Sequence, residues 1–276
     1  MSWEEAVRWL LIQPDQEALV NACYYDSPRR EAARRYWQSD EWKAIRSFSP
    51  RQSGKVLDIG AGHGITSYAL AMDGWQVTAI EPDPSRFVGA GAIRQLASEE
   101  SLSITVLQAV GEKIPFNDAA FQFVFARQAL HHAHDLPSLC AEVFRVLKPG
   151  GVFIAAREHV VSSPSDVPKF LAHHPLHRLY GGERAYRLSE YKSALKRNGF
   201  VFYKILRSFD TVINYAPRSE KTLYEEIIRR ISKVPGCASL FGLIFFGRDG
   251  FKRFLKYLSF FDQRPGRLYS FVCKKP

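Results

Sequence analysis

Cysteine is sparse in this chain of 276 residues: Cys23, Cys140, Cys237 and Cys273 stand far apart, with no close pair. That spacing excludes the paired thiols of a zinc knuckle or a redox motif and predicts reduced structural thiols. No apolar run approaches the roughly 20 residues needed to span a bilayer, and the run 240–246 (Leu-Phe-Gly-Leu-Ile-Phe-Phe) falls far short. The chain starts Met1-Ser2-Trp3-Glu4-Glu5, with early acids and no basic start before an apolar stretch. Neither a signal peptide nor an anchor is predicted, and a cytoplasmic location is expected. Internal repeats, low-complexity tracts and a recognisable RNA-binding module are absent as well.

What is present suits one α/β domain with appendages, since 46% hydrophobic residues over this length can bury a substantial core. The net charge of +10 is uneven: residues 218–276 hold thirteen Lys or Arg against five acids. Such an excess attracts anionic partners, whether nucleic acid, lipid headgroups or a phosphorylated small molecule, although a solvated face that aids solubility accounts for it equally well.

From Lys55 onward, short apolar runs alternate with helical patterns. Segments 55–59, 76–80, 103–108, 121–126 and 151–157 read as strands, and 65–73, 84–97 and 136–147 as helices, the last stopped by Lys148-Pro149-Gly150-Gly151. This alternation predicts an α/β fold with a Rossmann-like, doubly wound, mostly parallel sheet whose ligand sits beyond the carboxyl ends of the strands. Residues 1–50, helical and rich in Trp and Tyr, are expected to form a lid. Residues 51–209 form the catalytic core, interrupted by a lid insertion at 159–187. Residues 210–262 form a basic helical insertion, and 263–276 return a final strand to the core. A sixth strand is expected at 200–206, after a helix at 188–198.

Gly60, Gly62 and Gly64 follow the first strand and open a helix, the context in which a glycine turn lets backbone approach a ligand and offers helix N–H groups to a negative one. Glu81 ends the second strand, where an acid can accept from two ribose hydroxyls. From Val56 to about Arg157 the chain resembles the class I methyltransferase family. The matching motifs are Val56-Leu57-Asp58-Ile59-Gly60-Ala61-Gly62-His63-Gly64, Glu81-Pro82-Asp83, Gly111-Glu112-Lys113-Ile114-Pro115-Phe116, Ala129-Leu130-His131-His132 and Val146-Leu147-Lys148-Pro149-Gly150-Gly151. The resemblance implies S-adenosyl-L-methionine as cofactor. It assigns the methionine part to Asp58, Gly60, Gly62 and Gly64, the ribose to Glu81, and the border of the adenine to Gly111 and Glu112. Relatives often carry an aspartate two residues before that glutamate; here the position is Val110, and backbone atoms or Gln108 are the candidate substitutes.

Methyl transfer from a sulfonium is an in-line displacement in which the enzyme chiefly positions the reactants, and a hydroxyl acceptor needs a base more than an amine does. His131 and His132 follow the fourth strand, and imidazole titrates near neutral pH, so they are candidate bases, with His132 favoured. Arg157, Glu158 and His159 follow the fifth strand as a second polar cluster expected to face the acceptor, with His159 a further catalytic candidate. His173-His174-Pro175-Leu176-His177 and Tyr180-Gly181-Gly182-Glu183 form the expected rim, and no carboxylate or thiol is placed among these histidines as an obvious further ligand, so no metal is expected.

Phe251, Phe254, Leu255, Leu258 and Phe261 recur at helical spacing, with Lys252, Arg253 and Lys256 on other faces. A packed cap on the catalytic domain, contact with a membrane surface through 240–261, and a hydrophobic acceptor pocket are the readings of this segment. The chain is thus expected to be a methyltransferase acting on a small-molecule acceptor, hydroxyl favoured, with an anionic or lipid-linked glycan intermediate suiting the basic region. An RNA methyltransferase and a catalytically silent cofactor-binding regulator are the alternatives.

Overall fold

The computed structural model describes residues 1–51, 54–173, 175–181, 184–233 and 248–276. Cys237, His174, Gly182, Glu183 and the apolar run 240–246 lie outside them.

The strands β1 (Lys55–Ile59), β2 (Gln76–Ile80), β3 (Ile104–Leu107), β4 (Phe121–Arg127), β5 (Leu147–Val161), β6 (Tyr186–Arg187), β7 (Val201–Leu206) and β8 (Arg267–Lys274) form one sheet. Its order is β3-β2-β1-β4-β5-β8-β7, with β6 beside the end of β5. The first five strands pair in parallel, while β8 runs antiparallel between β5 and β7. The order reverses at β1, so the β1 and β4 carboxyl ends diverge into a crevice where such sheets bind ligands.

Side-chain alternation divides the core. One face carries Leu57, Ile59, Val124, Phe153 and Ala155, and packs against Leu139 and Val143 of α7 (Leu136–Val146) and Leu195 of α10 (Leu188–Arg197). The other carries Val56, Phe123, Phe125, Ile154 and Ala156. It packs against Tyr68 and Ala69 of α5 (Ile65–Met72), Ala32 and Tyr36 of α3 (Arg29–Gln38), and Trp42 and Ile45 of α4 (Asp40–Arg46). Asp73, just past α5, accepts from the indole N–H groups of Trp37 (2.8 Å) and Trp42 (2.9 Å), which ties the N-terminal layer to the core.

Three elements differ from their sequence pattern. The helix expected at 84–97 is α6 (Ala90–Glu99), because Ser85 folds its hydroxyl back onto the N–H groups of Phe87 and Val88 and holds 84–89 as turns. The fifth strand continues to Val161, so His159 sits in the sheet rather than in a loop. Its pairing with β6 and β8 supplies the backbone partners that a loop would lack. The segment beyond it is mostly helical, with α8 (Val167–His173) and α9 (Pro175–Tyr180).

Candidate active site

Asp58 lies one residue before the end of β1 and is 1% exposed. The hydroxyls of Thr66 and Ser67, both on α5, donate to its Oδ2 at 2.6 Å each, while Oδ1 is buried with no partner among the described residues. Burial raises its pKa to about 7, against the lowering effect of the two hydroxyls. The next residues turn back through left-handed backbone: Gly60 has φ +62°, and an added Cβ would stand 2.8 Å from that of Ala129. Gly62 has φ +54° and meets nothing nearer than the Val88 carbonyl at 3.9 Å, so open space lies beside the turn. Gly64 caps α5.

Glu81, directly after β2, is held by two backbone donors: Gly62 N–H to Oε2 (2.8 Å) and Asp83 N–H to Oε1 (3.0 Å). The glycine turn and the strand-end acid are therefore one rigid unit, and burial raises the carboxyl's proton affinity. Each carboxylate oxygen retains acceptor capacity for a ligand hydroxyl.

The N-terminal residues cover this unit. His63 Nε2 meets the Tyr24 carbonyl at 3.0 Å, and the Tyr25 ring lies 4.5 Å from the imidazole. Trp3 donates to the Tyr25 hydroxyl at 3.0 Å, and Ser85 donates to Glu4 at 2.5 Å. Burial and the nearby Arg29 depress the His63 pKa to about 4, so the ring is neutral. Ala6, Val7 and Leu10 of α1 (Trp3–Leu11) pack with Val88 and with Leu176 of α9, so the chain's start and the 159–187 insertion close on each other.

Beyond β3, a Cβ on Gly111 would lie 2.9 Å from Leu139 Cδ1 and 3.3 Å from Ile59 Cγ2, so only glycine lets this backbone approach the β1 end. Glu112 Oε1 accepts from His134 N–H at 2.8 Å, and Gln108 donates to the Pro82 carbonyl at 3.1 Å. Val110 is exposed.

The polar residues near the end of β5 are set by a bulge in that strand. Opposite β8, Ala155 pairs with Phe271 and Glu158 with Tyr269, and Arg157 adopts φ +62°. Unbroken alternation would put Arg157 on the face of Ala155; the bulge reverses it. Arg157 turns instead to the N-terminal layer, donating to the Ile213 carbonyl (2.7 Å) and standing 3.7 Å from Glu41. Glu41 is 1% exposed and also receives Arg127 at 2.7 and 3.2 Å.

Glu158 turns the other way and is wholly buried. It accepts from Ala129 N–H (3.1 Å), His131 N–H (3.1 Å) and His131 Nδ1 (2.8 Å). A ring on which Nδ1–H donates to a carboxylate has Nε2 as its basic nitrogen. Three further imidazoles continue from His131: exposed His132 at 4.3 Å between centroids, His159 at 4.7 Å, and His177 of α9, 5.4 Å from His159. His159 Nδ1 lies 2.9 Å from the Gly266 carbonyl.

The expected site residues thus gather at the carboxyl ends of β1, β2, β4 and β5. The Glu41–Arg127–Arg157 cluster and the Thr66 and Ser67 support of Asp58 were missed in the sequence. Arg127 and Glu41 are 86 positions apart, and no local spacing signals their pairing. A separate cleft of about 540 Å³ lies between the N-terminal helices and 212–219, with Tyr24, Glu41 and Pro217 on its walls. No residue of 159–187 lines it.

The sheet order, glycine turn and strand-end acid define a Rossmann-like enzyme domain for an adenosine-bearing cofactor. Asp58 and Glu81 as acceptors, and the open space at Gly62, fit S-adenosyl-L-methionine. Residues 57–155 match the methyltransferase domain family. Residues 57–155 therefore form a domain of the S-adenosylmethionine-dependent methyltransferase kind, and S-adenosyl-L-methionine is its cofactor.

The dimethylglycine N-methyltransferase of Parasynechococcus marenigrum (strain WH8102) is 38% identical over 111 residues, covering 37% of each chain. The methyltransferase YcgJ of Bacillus subtilis (strain 168) is 28% identical over 173 residues, 62% of this chain and 66% of that one. This chain therefore spans between about a third and two thirds of these relatives' lengths. The structure of geranyl diphosphate methyltransferase with GPP and sinefungin shares the fold, with a TM-score of 0.58, 14% identity, and coverage of 86% of this chain and 77% of that one.

Proposed function

We propose that the protein transfers a methyl group from S-adenosyl-L-methionine to a hydroxyl of a small molecule, with His132 as the base and His131 as its support. The observation that carries the reading is the buried Glu158 carboxylate on His131 Nδ1, with the exposed His132 ring tilted against the same imidazole at 4.3 Å between centroids. Asp58, Gly60, Gly62, Gly64 and Glu81, with Gly111 and Glu112 beyond them, hold the cofactor in this reading. When bound, the cofactor supplies the methyl group and leaves as S-adenosylhomocysteine. The acceptor hydroxyl gives up its proton to the His132 imidazole as its oxygen takes the methyl group. His131, held by Glu158 through its backbone N–H and its Nδ1, keeps the His132 ring against the site, and His159 and His177 continue the imidazole array. A neutral amine acceptor attacks without first losing a proton, whereas a hydroxyl gains more from a base in the transition state. The relatives' names, dimethylglycine and geranyl diphosphate methyltransferase, support an acceptor of small size.

The test is release of S-adenosylhomocysteine with parallel panels of hydroxylated and amine small molecules and with transfer RNA. Turnover on a hydroxylated molecule, lowered at least about a hundredfold by His132→Ala with cofactor affinity kept, is the expected result. Turnover confined to RNA, or unchanged in His132→Ala, overturns it.

A further inference from the structure

The helix Arg248–Phe261 directly precedes β8. Phe251 and Leu255 bury one face of it against Tyr215 and Leu223, and Ser259 accepts from Phe209 N–H at 2.7 Å. The opposite face carries three large aromatic side chains left in the open: Tyr257 is 62% exposed, Phe260 65% and Phe261 58%. They are contiguous, with ring centroids 4.7 Å apart for Tyr257 and Phe261 and 5.1 Å for Phe260 and Phe261. Lys252, Arg253 and Lys256 are exposed on the same helix, and the Arg207 guanidinium lies 5.0 Å from the Phe260 ring centre. Among the described acids, Asp249 stands in the first turn, Asp262 is taken by Arg264 at 2.8 and 2.9 Å, and Asp210 accepts from Arg207 N–H at 2.9 Å.

We propose that this outward face of helix Arg248–Phe261 docks on an anionic lipid surface, with Tyr257, Phe260 and Phe261 entering the headgroup boundary and Lys252, Arg253, Lys256 and Arg207 facing the phosphates. Burying three aromatic rings supplies the apolar gain, and each cation adds attraction to a negative leaflet. The rings pack edge and tilt against one another at 53° and 74°, which covers part of their faces. Stacking of nucleic-acid bases needs those faces open, whereas insertion into an apolar boundary needs only their edges, so the geometry favours lipid over RNA. The helix docks along the membrane and does not cross it, as no described helix is long and apolar enough to do so.

The experiment is flotation of the full chain with vesicles of phosphatidylcholine alone and of phosphatidylcholine mixed with phosphatidylglycerol. Binding at least about tenfold stronger to the mixed vesicles is expected, weakening with salt. The combined substitution Tyr257→Ser, Phe260→Ser and Phe261→Ser should abolish it, and Lys252→Gln, Arg253→Gln and Lys256→Gln together should remove the preference for phosphatidylglycerol. Both variants should keep the parent's melting temperature, since the replaced side chains are exposed. No flotation of the parent chain, or equal flotation of the aromatic variant, overturns the proposal. Salt-sensitive retention on RNA without vesicle binding overturns it as well and assigns the face to nucleic acid.

Discussion

Asp58 is a carboxyl group placed where water does not reach it, with a pKa raised to about 7 by burial. A raised carboxyl pKa means that the folded chain holds the proton more firmly than the unfolded one. The stability this gives is fully present below the ordinary carboxyl range, near about 4, and is lost as pH rises toward 7. A cationic ligand group beside Asp58 favours the ionised form, so binding below about pH 7 must first drive off the proton. Affinity for S-adenosylhomocysteine, measured by calorimetry, should therefore fall as pH is lowered from about 8 to about 6, and Asp58→Asn should flatten the profile. A profile equally steep in Asp58→Asn places the titrating group elsewhere. At the same unit, Glu81→Ala frees two backbone donors, and Gly62→Val forces a branched side chain into φ +54° and fills the open space beside it. Each should weaken S-adenosylhomocysteine at least about tenfold, or about 1.4 kcal/mol; unchanged affinity in both would sink the assignment of this turn.

Among the elements, the β5 bulge and the N-terminal roof determine what the site residues can do. The bulge sends Glu158 to His131 and Arg157 to Glu41, so two adjacent residues serve opposite faces of one sheet. In Glu158→Gln the amide oxygen still accepts from the backbone but the amide nitrogen cannot accept from Nδ1–H. The expected outcome is kcat lowered at least about tenfold, with KM and cofactor affinity little changed and the pH–rate profile displaced. A variant with the parent's pH profile reduces Glu158 to a structural support. The roof makes a separate prediction: Tyr24 and Tyr25 lie on His63 of the glycine turn, so amide exchange over residues 22–26 should slow when S-adenosylhomocysteine is added. Exchange there that ignores the ligand shows ordinary packing.

At the scale of the molecule, the N-terminal layer and the sheet share one core: Trp42 is 1% exposed and its ring meets Phe125 edge-on at 5.7 Å. Trp42→Ala should cost about 3–5 kcal/mol and lower the melting temperature in a single transition. An early, separate transition for the N-terminal helices would show that the layer folds on its own. The alternating apolar pattern after Lys55, the glycine turn and the acid after β2 are local signals, and they correspond to strands, turns and helices of the core, with the start of α6 and the end of β5 displaced. Periodicity and turn chemistry are properties of neighbours in the chain, which is why those elements, the cofactor and the family were legible in the residues alone. The Glu41–Arg127–Arg157 cluster, the Asp73 tie to two tryptophans and the choice between Glu158 and Arg157 for the His131 side were not. Each depends on groups brought together across the sheet, and the last on one bulge that reverses alternation, so only the packing of the whole chain decides it.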